Sequence, residues 1–228
     1  MAVKPQLACF ERLGWPGWRA LENICSAARQ AGLLVVADGK RGDVPVSARA
    51  YGQAMVGKTE SPWGAVAGLG ADAFTANPML GADSLEPLVA AAENAGAGVF
   101  TLVRTSNPGA ADIQDLATSE GPLHERLASM VDSFSERLAS SDGRLSGMGA
   151  VVGATEPEHI ERLRTLMPRA ILLIPGVGAQ GGRPEDLGAA FAPGRAGALV
   201  AASRSIAGAA DPGEAADRLR DSLWQASG

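Results

Sequence analysis

Short apolar segments that end in polar residues or glycine recur along the chain and alternate with longer segments of helical length. The apolar segments predict seven strands, at residues 3–10, 33–37, 72–75, 98–103, 148–153, 170–174 and 198–201. The segments between them predict six helices, at residues 15–31, 47–56, 80–95, 123–140, 156–167 and 212–224. The predicted strands lack a clean alternation of apolar and polar residues, which is typical of parallel strands covered by helices on both faces.

The repeated order of strand and helix predicts right-handed βαβ units in an α/β protein. Such units build either an open doubly wound sheet, which can have seven strands, or a TIM (β/α)8 barrel, which needs eight. The chain opens directly on a predicted strand, as an eight-stranded barrel without its first strand would. The pattern therefore favours a TIM (β/α)8-type barrel with strand 1 missing and seven strands visible. A length of 228 residues suits one large core better than two, so residues 1–228 are expected to form a single barrel domain.

Composition narrows the classes of function. Hydrophobic residues make up 46% of the chain and aromatic residues only 4%, which fits an aliphatic core in an α/β protein. A net charge of −5 without a stripe of Lys and Arg argues against a nucleic-acid partner but leaves room for a small anionic ligand. Cys9 and Cys25 are expected to be reduced thiols. No apolar run approaches the length of a membrane span, so the sequence predicts a soluble, cytoplasmic protein without a membrane partner.

Polar residues at the carboxyl ends of predicted strands are the candidates for chemistry, because TIM-barrel active sites lie at that end. Asp38, Lys40 and Asp43 follow the second predicted strand, and strand alternation places Asp38 and Lys40 on the same side. An acid and a base this close keep each other charged, and Lys4 from the preceding strand can join them. A solvated ion pair after a strand is the structural alternative for this weak D-x-K pattern.

A second candidate is the glycine-rich run IPGVGAQGGR at residues 174–183, after the sixth predicted strand. Its glycines let backbone N–H groups approach a ligand, and Arg204, after the last predicted strand, can fork onto a phosphate. Loops after the last two strands form the usual phosphate site of TIM barrels. That position favours a phosphate ligand over a purely structural turn.

The third candidate is the run RTSNPG at residues 104–109, after the fourth predicted strand. Its Thr, Ser and Asn side chains can bond to the edge of a heterocycle, but Asn-Pro-Gly also dictates a turn, and both interpretations stay open. Residues 107–121 are expected to form a long mobile loop. His124 and His159 fall in predicted helices and are expected at the surface. No cluster of Cys, His or acidic residues has metal-ligand spacing, so no metal is predicted.

Four motifs in this order resemble the orotidine 5'-phosphate decarboxylase family, specifically its bacterial branch. They are V-K-P-Q at residues 3–6, D-x-K-R-G-D at 38–43, T-S-N-P at 105–108 and P-G-V-G-A-Q-G-G at 175–182. The resemblance runs from about Val3 to Ile206, and the order and spacing of the four motifs make it specific. It implies decarboxylation of orotidine 5'-phosphate to UMP in pyrimidine biosynthesis, without a cofactor.

The resemblance also implies catalytic roles. Lys40 would protonate C6 of the pyrimidine as carbon dioxide leaves, Asp38 would lie against the substrate carboxylate, and Lys4 would complete the alternating charges. Asp43 and Ser47 would cross a homodimer interface into the neighbouring site.

Substrate-binding roles follow in the same way. Ser106 would contact the pyrimidine, and Gln180 and Arg204 would hold the 5'-phosphate. The glycine-loop amides, including that of Gly181, would bind the same phosphate.

One family segment is not found in this sequence. Family members begin with a strand of the form L-x-x-G-x-D-P, whose Asp binds ribose hydroxyls, and Met1 falls just before what would be the second strand. We therefore expect either a truncated start or a seven-stranded variant with impaired activity. Two other functions stay open. One is a Mg²⁺-dependent sugar-phosphate enzyme of the hexulose-phosphate synthase type, with its related D-x-K-x-x-D loop, and the other is a non-catalytic nucleotide-binding remnant.

Overall fold

Parallel strands, most of them followed by a helix, build the computed structural model, which describes residues 2–178 and 180–228. The chain divides into two compact units, Met1–Thr101 and Leu102–Gly228, which are described in turn. The prediction of a single barrel domain over residues 1–228 stays a prediction. No helix in the described part of the chain is both long and apolar enough to cross a membrane.

The first unit contains four parallel strands. Its elements are β1 (Ala2–Val3), α1 (Leu7–Glu11), α2 (Trp15–Gln30), β2 (Leu34–Arg41), α3 (Pro45–Met55), β3 (Lys58–Thr59), β4 (Val66–Ala67), β5 (Ala73–Ala76), α4 (Ala82–Ala95) and β6 (Gly98–Arg104). Strands β1, β2, β5 and β6 are parallel neighbours in that order, and β3 and β4 form a separate antiparallel pair. All four residues of β5 are buried, as expected of a strand covered on both faces.

Local sequence sets the helix boundaries in this unit. Pro16 and Pro45 stand in the first turns of α2 and α3, where a missing N–H costs no helical hydrogen bond. Gly96 ends α4 in the left-handed conformation, with a φ of 65°. Because β2 ends at Arg41 and α3 begins at Pro45, the first four residues of the D-x-K-R-G-D motif lie within β2 and only residues 42–44 link the two elements.

The second unit begins at the end of β6 and contains three more parallel strands. Its elements are α5 (Ala110–Gln114), β7 (Ala117–Thr118), β8 (Gly121–Pro122), α6 (Leu123–Ser133), β9 (Ser146–Val152), α7 (Pro157–Leu166), β10 (Ala170–Pro175), β11 (Ala198–Ala201), α8 (Arg204–Ala207) and α9 (Pro212–Ala226), with 3-10 segments at Ser135–Leu138, Pro184–Phe191 and Arg195–Gly197. Strands β9, β10 and β11 are parallel neighbours. The Gly153 N–H, just after β9, donates to the Arg104 carbonyl at the end of β6 over 2.7 Å.

A buried arginine ties several segments of the second unit together. Arg164, on α7, is 6% exposed, and burial lowers its pKa to about 10. Its Nη1 donates to the carbonyls of Met167 and Ala170 over 2.9 and 2.7 Å. Its Nη2 donates to the carbonyls of Ala190 and Gly197 over 2.8 and 3.0 Å. The side chain thereby gives four buried carbonyls a charged hydrogen-bond donor.

The structure confirms six of the predicted strands and changes other elements. The predicted strand 3–10 is wrong beyond its start, because a helix begins at Leu7. Leu7 is fully buried while Ala8 and Cys9 are exposed, and this single inward side chain per turn suits a helix. The predicted loop 107–121 contains α5 and the antiparallel pair β7–β8, and the predicted helix 123–140 ends at Ser133.

Candidate active site

A buried carboxylate with two lysines lies near the carboxyl end of β2. Asp38 is 4% exposed. Its Oδ1 accepts a hydrogen bond from Lys40 Nζ over 2.5 Å, and its Oδ2 accepts one from Lys4 Nζ, which follows β1. The Gln6 amide nitrogen, in the orientation that satisfies its hydrogen bonds, also donates to Asp38 Oδ2 over 2.6 Å. The structure thus brings the predicted residues Lys4, Asp38 and Lys40 into contact.

Opposing effects act on the Asp38 carboxyl. Burial alone would raise its pKa, because the charged form loses water. The hydrogen bonds and positive charges of Lys4 and Lys40 outweigh burial, so the pKa of Asp38 lies below its ordinary value. The carboxylate is therefore charged at neutral pH. The Lys40 side chain is 39% exposed, so its ammonium group is held by Asp38 and still reachable by a ligand.

The backbone departs from regular strand geometry at Lys40. Ala37 pairs with Phe74 and Arg41 pairs with Ala76, so three residues of β2 face a single residue of β5. Lys40 has a φ of 48°, in the left-handed region that residues with a side chain rarely adopt. A bulge of this kind re-aims a side chain, and bulges are frequent beside active sites.

Thr75 is the residue of β5 that faces this bulge. Its Oγ1 accepts a hydrogen bond from the Lys40 N–H over 2.8 Å and donates one to Asp38 Oδ1 over 3.0 Å. Thr75 was predicted only as part of the strand 72–75 and not as a site residue. The available signal was a hydroxyl residue at the end of the strand that follows the D-x-K-R-G-D motif.

Gly42 and Arg41 fix the rest of the motif. A Cβ at Gly42 would lie 2.5 Å from the backbone oxygen of Asn77, so the close approach of the two loops requires glycine. Arg41 forms an ion pair with Glu11, and its guanidinium carbon lies 5.5 Å from the centre of the Tyr51 ring. The Arg41 side chain therefore anchors the loop to α1 and α3.

Asp43 and Ser47 lie beyond this anchor. Asp43 Oδ1 accepts the N–H of Val44 over 2.7 Å, and Ser47 is half-buried in the first turn of α3. The structure thus places Asp43 in the link between β2 and α3 and Ser47 at the start of α3, with the Asp43 carboxylate engaged by its neighbour.

The glycine-rich run of the second unit forms a tight turn after β10. Gly176, Gly178 and Gly181 have φ values of 105°, 75° and 95°, which favour glycine. The Gly181 N–H donates to the Gly178 carbonyl over 2.9 Å. A Cβ at Gly182 would lie 2.5 Å from the Ala154 Cβ. The glycines are therefore needed for the turn itself. Ala179, in the middle of the run, lies outside the described residues.

Ser106 and Gln180 join two of the predicted binding loops. The Ser106 Oγ donates to Gln180 Oε1 over 3.0 Å. Arg204, the first residue of α8, is exposed, and the Ser205 Oγ would lie 3.7 Å from a Cβ at Gly178. The structure therefore brings Ser106 to Gln180 and the start of α8 to the glycine-rich turn.

A buried arginine supports the Ser106 loop from behind. Arg104, 4% exposed, forks onto Asp115 over 2.8 and 3.0 Å, contacts Glu156 over 3.2 Å, and donates to the Thr105 carbonyl over 2.8 Å. Burial would lower the Arg104 pKa, but the Asp115 hydrogen bond and both carboxylate charges raise it above its ordinary value. The Thr105 N–H donates to Gln114 Oε1 over 2.8 Å. The residue before Ser106 is therefore fixed through both its N–H and its carbonyl.

The predicted surface position of His124 is wrong. His124 is 3% exposed, and its Nδ1 contacts the Gln114 carbonyl over 2.9 Å and Asp115 Oδ1 over 3.0 Å. Its ring lies edge to face with that of His159, which contacts Glu156 Oε2 over 2.7 Å. Helical periodicity did not reveal this burial, because the segment that covers His124 was predicted as a mobile loop.

The two units offer different chemistry. In the first, a lysine ammonium held by a buried carboxylate can donate a proton. In the second, a hydroxyl, an amide and a guanidinium offer hydrogen bonds to a polar or anionic ligand. Within residues 2–178 and 180–228, no group of three His, Cys, Asp or Glu side chains is arranged to hold a metal ion.

Comparison with known proteins identifies the family. The model of the Orotidine 5'-phosphate decarboxylase / HUMPS family matches residues 1–219. The orotidine 5'-phosphate decarboxylase of Rhodopirellula baltica is 44% identical over 226 residues, which cover 98% of this chain and 72% of that protein. The enzyme of the same name from Deinococcus radiodurans is 46% identical and is matched over 99% of this chain and 80% of its own length.

Solved structures agree with the sequence relatives. Leishmania donovani OMP decarboxylase has a TM-score of 0.78 and 33% identity, over 99% of this chain and 80% of that one. The similarity of this chain to that structure, together with its seven parallel strands, confirms the predicted fold class. The fold is a TIM-type barrel fold with seven visible strands. The chain belongs to the orotidine 5'-phosphate decarboxylase / HUMPS family.

Proposed function

We propose that this protein decarboxylates orotidine 5'-phosphate to UMP, the reaction for which its relatives are named. The observation that carries the proposal is the buried Asp38 carboxylate between the ammonium groups of Lys4 and Lys40. This arrangement needs no cofactor, because a charged lysine supplies both the positive field and the proton. We also propose a cytoplasmic location. A phosphorylated substrate is charged and costly to bring into a membrane, so the enzyme is expected in the aqueous interior of the cell with its substrate.

Charge development at C6 explains the roles of these residues. Loss of carbon dioxide leaves an electron pair in a ring orbital that the pyrimidine stabilises poorly. A fixed positive charge at that position lowers the barrier only if it is in place beforehand. In the proposal Asp38 lies beside the substrate carboxylate and holds the Lys40 ammonium in place, and Lys40 then delivers its proton to C6. Lys4 keeps Asp38 charged throughout.

Side chains of three loops are the binding groups of the proposal. Ser106 bonds to the pyrimidine, and Gln180 and Arg204 bind the 5'-phosphate, Arg204 through the two-pronged geometry that guanidinium groups offer to phosphates. Gly181 would add its backbone amide by leaving the hydrogen bond to Gly178. Binding energy gained at the phosphate is remote from the reacting carbon and can be used to orient the substrate.

A homodimer completes the proposal, with Asp43 and Ser47 reaching the neighbouring site. Large apolar side chains lie exposed next to Asp43: Val44 and Val46 are 53% and 84% exposed. Met79 and Leu80, just beyond the Asn77 that Gly42 touches, are 60% and 52% exposed. Exposed apolar side chains grouped in this way are typical of protein interfaces.

Subunit mixing tests the crossing of Asp43. Lys40→Ala and Asp43→Asn proteins, each inactive alone, should regain activity when unfolded together and refolded. Half of the dimers are then mixed, and each contains one site with native Lys40 and native Asp43, so about a quarter of wild-type activity is expected. A mixture as inactive as its components would contradict an Asp43 that acts across the interface.

The decisive experiment follows the loss of orotidine 5'-phosphate absorbance with wild-type protein and with Lys40→Ala. We expect turnover by wild type and a loss of at least about 10³-fold in Lys40→Ala, because both the proton and the charge at C6 are removed. Lys58→Ala, at an exposed lysine on β3, is the matched control and should keep full activity. Absence of turnover by wild type, or an active Lys40→Ala, would overturn the proposal.

The two alternative functions have their own readouts. Turnover that a chelator abolishes would point to the Mg²⁺-dependent sugar-phosphate enzyme, which the names of the 44% and 46% identical relatives do not favour. Binding of UMP without turnover of orotidine 5'-phosphate would point to the nucleotide-binding remnant.

A further inference from the structure

The hydroxyl of Thr75 occupies a position that a backbone carbonyl would take in a regular parallel ladder. The register of β2 against β5 is regular up to the pair Ala37–Phe74 and resumes at Arg41–Ala76. Between these pairs the Lys40 N–H donates to the Thr75 side chain over 2.8 Å. Thr75 is 1% exposed, so water does not replace this bond.

Both hydrogen-bonding capacities of this hydroxyl are used. Thr75 Oγ1 accepts from the Lys40 main chain and donates to Asp38 Oδ1, which also accepts from Lys40 Nζ over 2.5 Å. The Thr75 hydroxyl therefore bonds to the main chain of Lys40. It also bonds to Asp38, the carboxylate that holds the Lys40 ammonium group. Only a group that accepts and donates at one atom can do both, which restricts the position to a hydroxyl residue.

Lys40 needs such support, because its φ of 48° is unfavourable for a residue with a side chain. A conformation of this kind persists only where its surroundings hold it. Without the Thr75 hydroxyl, the Lys40 N–H would lose its buried partner and the bulge would lose the contact that opposes relaxation toward a regular strand. The ammonium group would then move with the backbone.

We propose that Thr75 is a positioning residue for the decarboxylation. Its hydroxyl holds the strained backbone of Lys40 and one oxygen of Asp38 in the same place, and so aims the Lys40 ammonium at C6. This inference rests on the proposed function, since it assigns to Thr75 an effect on the step that Lys40 performs.

The test compares Thr75→Val with Thr75→Ser and with a matched control on the neighbouring strand. Thr75→Val keeps the shape and removes the hydroxyl, and Thr75→Ser restores it. Thr101 lies on β6 and is fully buried, and within the described residues its hydroxyl has no hydrogen-bond partner. Thr101→Val is therefore the same change at a buried threonine of the neighbouring strand, without loss of a hydrogen bond.

Positioning predicts an effect on the chemical step rather than on binding. We expect Thr75→Val to lower kcat by about 10- to 100-fold, as a displacement of about 1 Å does, while KM changes less than about threefold. Thr75→Ser should lie within about threefold of wild type, and Thr101→Val should be unchanged. In a Lys40→Ala background Thr75→Val should have no further effect, because Thr75 acts through Lys40.

The pH profile gives a second readout. The charged groups that face Asp38 are Lys4, which follows β1, and Lys40 from β2, and Thr75 is the donor from β5. Removal of that donor weakens the charged form of Asp38, so the acid limb of the kcat profile should move to higher pH in Thr75→Val. Thr101→Val should leave the limb in place.

The outcomes separate this inference from the proposed function. A wild type without turnover contradicts the proposed function itself. With an active wild type, the inference is overturned if Thr75→Val keeps kcat within twofold, if Thr75→Ser is as impaired as Thr75→Val, or if Thr101→Val loses as much. If Thr75→Val does not fold, Thr75→Ala and Thr75→Ser decide in the same way, by the kcat ratio between them.

Discussion

The side chain of Ser106 donates a hydrogen bond to the side-chain oxygen of Gln180 over 3.0 Å, across 74 residues of sequence. This bond joins the loop proposed to read the pyrimidine to the loop proposed to hold the phosphate. A substrate that engages both side chains must compete with the bond or extend it. The two contacts are therefore expected to be energetically coupled.

Ser106→Ala and Gln180→Ala are each expected to raise KM for orotidine 5'-phosphate by about tenfold, roughly the value of one hydrogen bond to a charged or polar ligand. The double variant should lose less than the product of the two effects, because each single change already breaks the Ser106–Gln180 bond. Steady-state kinetics and UMP titration measure both. Gln30→Ala, on the exposed face of α2, is the control. Strictly multiplicative losses would show that the two side chains act independently.

Gly42→Ala is expected to displace the D-x-K-R-G-D loop, because the new Cβ would lie 2.5 Å from the Asn77 backbone oxygen. We expect a loss of about 1–3 kcal/mol in the free energy of unfolding and at least about tenfold in kcat. Gly188→Ala is the control, since a Cβ there meets only the Ala226 oxygen, at 3.6 Å. Urea unfolding and kinetics give the two numbers, and wild-type values for Gly42→Ala would show that the loop tolerates the methyl group.

Arg104→Met is expected to destabilise the protein by about 1–3 kcal/mol, since it removes the hydrogen bonds of a buried cation while the Asp115 and Glu156 carboxylates it leaves are 31% and 44% exposed. It should also impair UMP binding, because Arg104 fixes the carbonyl of Thr105 next to Ser106. Arg162→Met breaks an ion pair of an exposed arginine with Glu125 and should change the free energy of unfolding far less, because solvent screens such pairs. Equal effects of the two changes on unfolding in urea would contradict the role assigned to Arg104.

Acid should destabilise the fold partly through Asp115, whose pKa is lowered by the hydrogen bond from Arg104 and by nearby positive charges. The unfolded carboxyl takes up its proton near its ordinary pKa of 3.8, whereas the folded carboxyl is still charged at that pH. The unfolded state therefore binds more protons in this window. The contribution of Asp115 to the free energy of unfolding is complete at pH values above 3.8. It is lost as the pH falls through the lower pKa that Asp115 has in the folded state.

Asp115→Asn should consequently be less stable at neutral pH and lose less stability on acidification. Urea unfolding between about pH 6 and 2.5 measures the slope. Asp112→Asn, at an exposed carboxylate on α5, is the control. A slope for Asp115→Asn as steep as that of wild type would show that this carboxylate does not couple to folding.

Sequence patterns predicted most strands and helices. In buried parallel strands and amphipathic helices, the polarity of each residue reflects whether its position is buried or exposed. Alternation also placed Asp38 and Lys40 on the same side, although the structure reaches that contact through a bulge and a left-handed Lys40. Local pattern could not assign a role to Thr75. Its hydroxyl accepts the Lys40 N–H in place of a backbone carbonyl, and this replacement is visible only in the register of β2 against β5. His124 was missed for a similar reason, because its cover comes from Gln114 and Asp115 in another element.

The set of carbonyls around Arg164 has a consequence for the protein during synthesis. Arg164 precedes Ala190 by 26 residues and Gly197 by 33, and all of its described contacts are buried or nearly so. A ribosome that adds roughly 5–20 residues per second delivers Gly197 about 2 to 7 s after Arg164. Over that interval Nη1 can already reach the carbonyls of Met167 and Ala170, whereas Nη2 must stay hydrated, so the full burial of the Arg164 side chain waits for the segment that leads to β11.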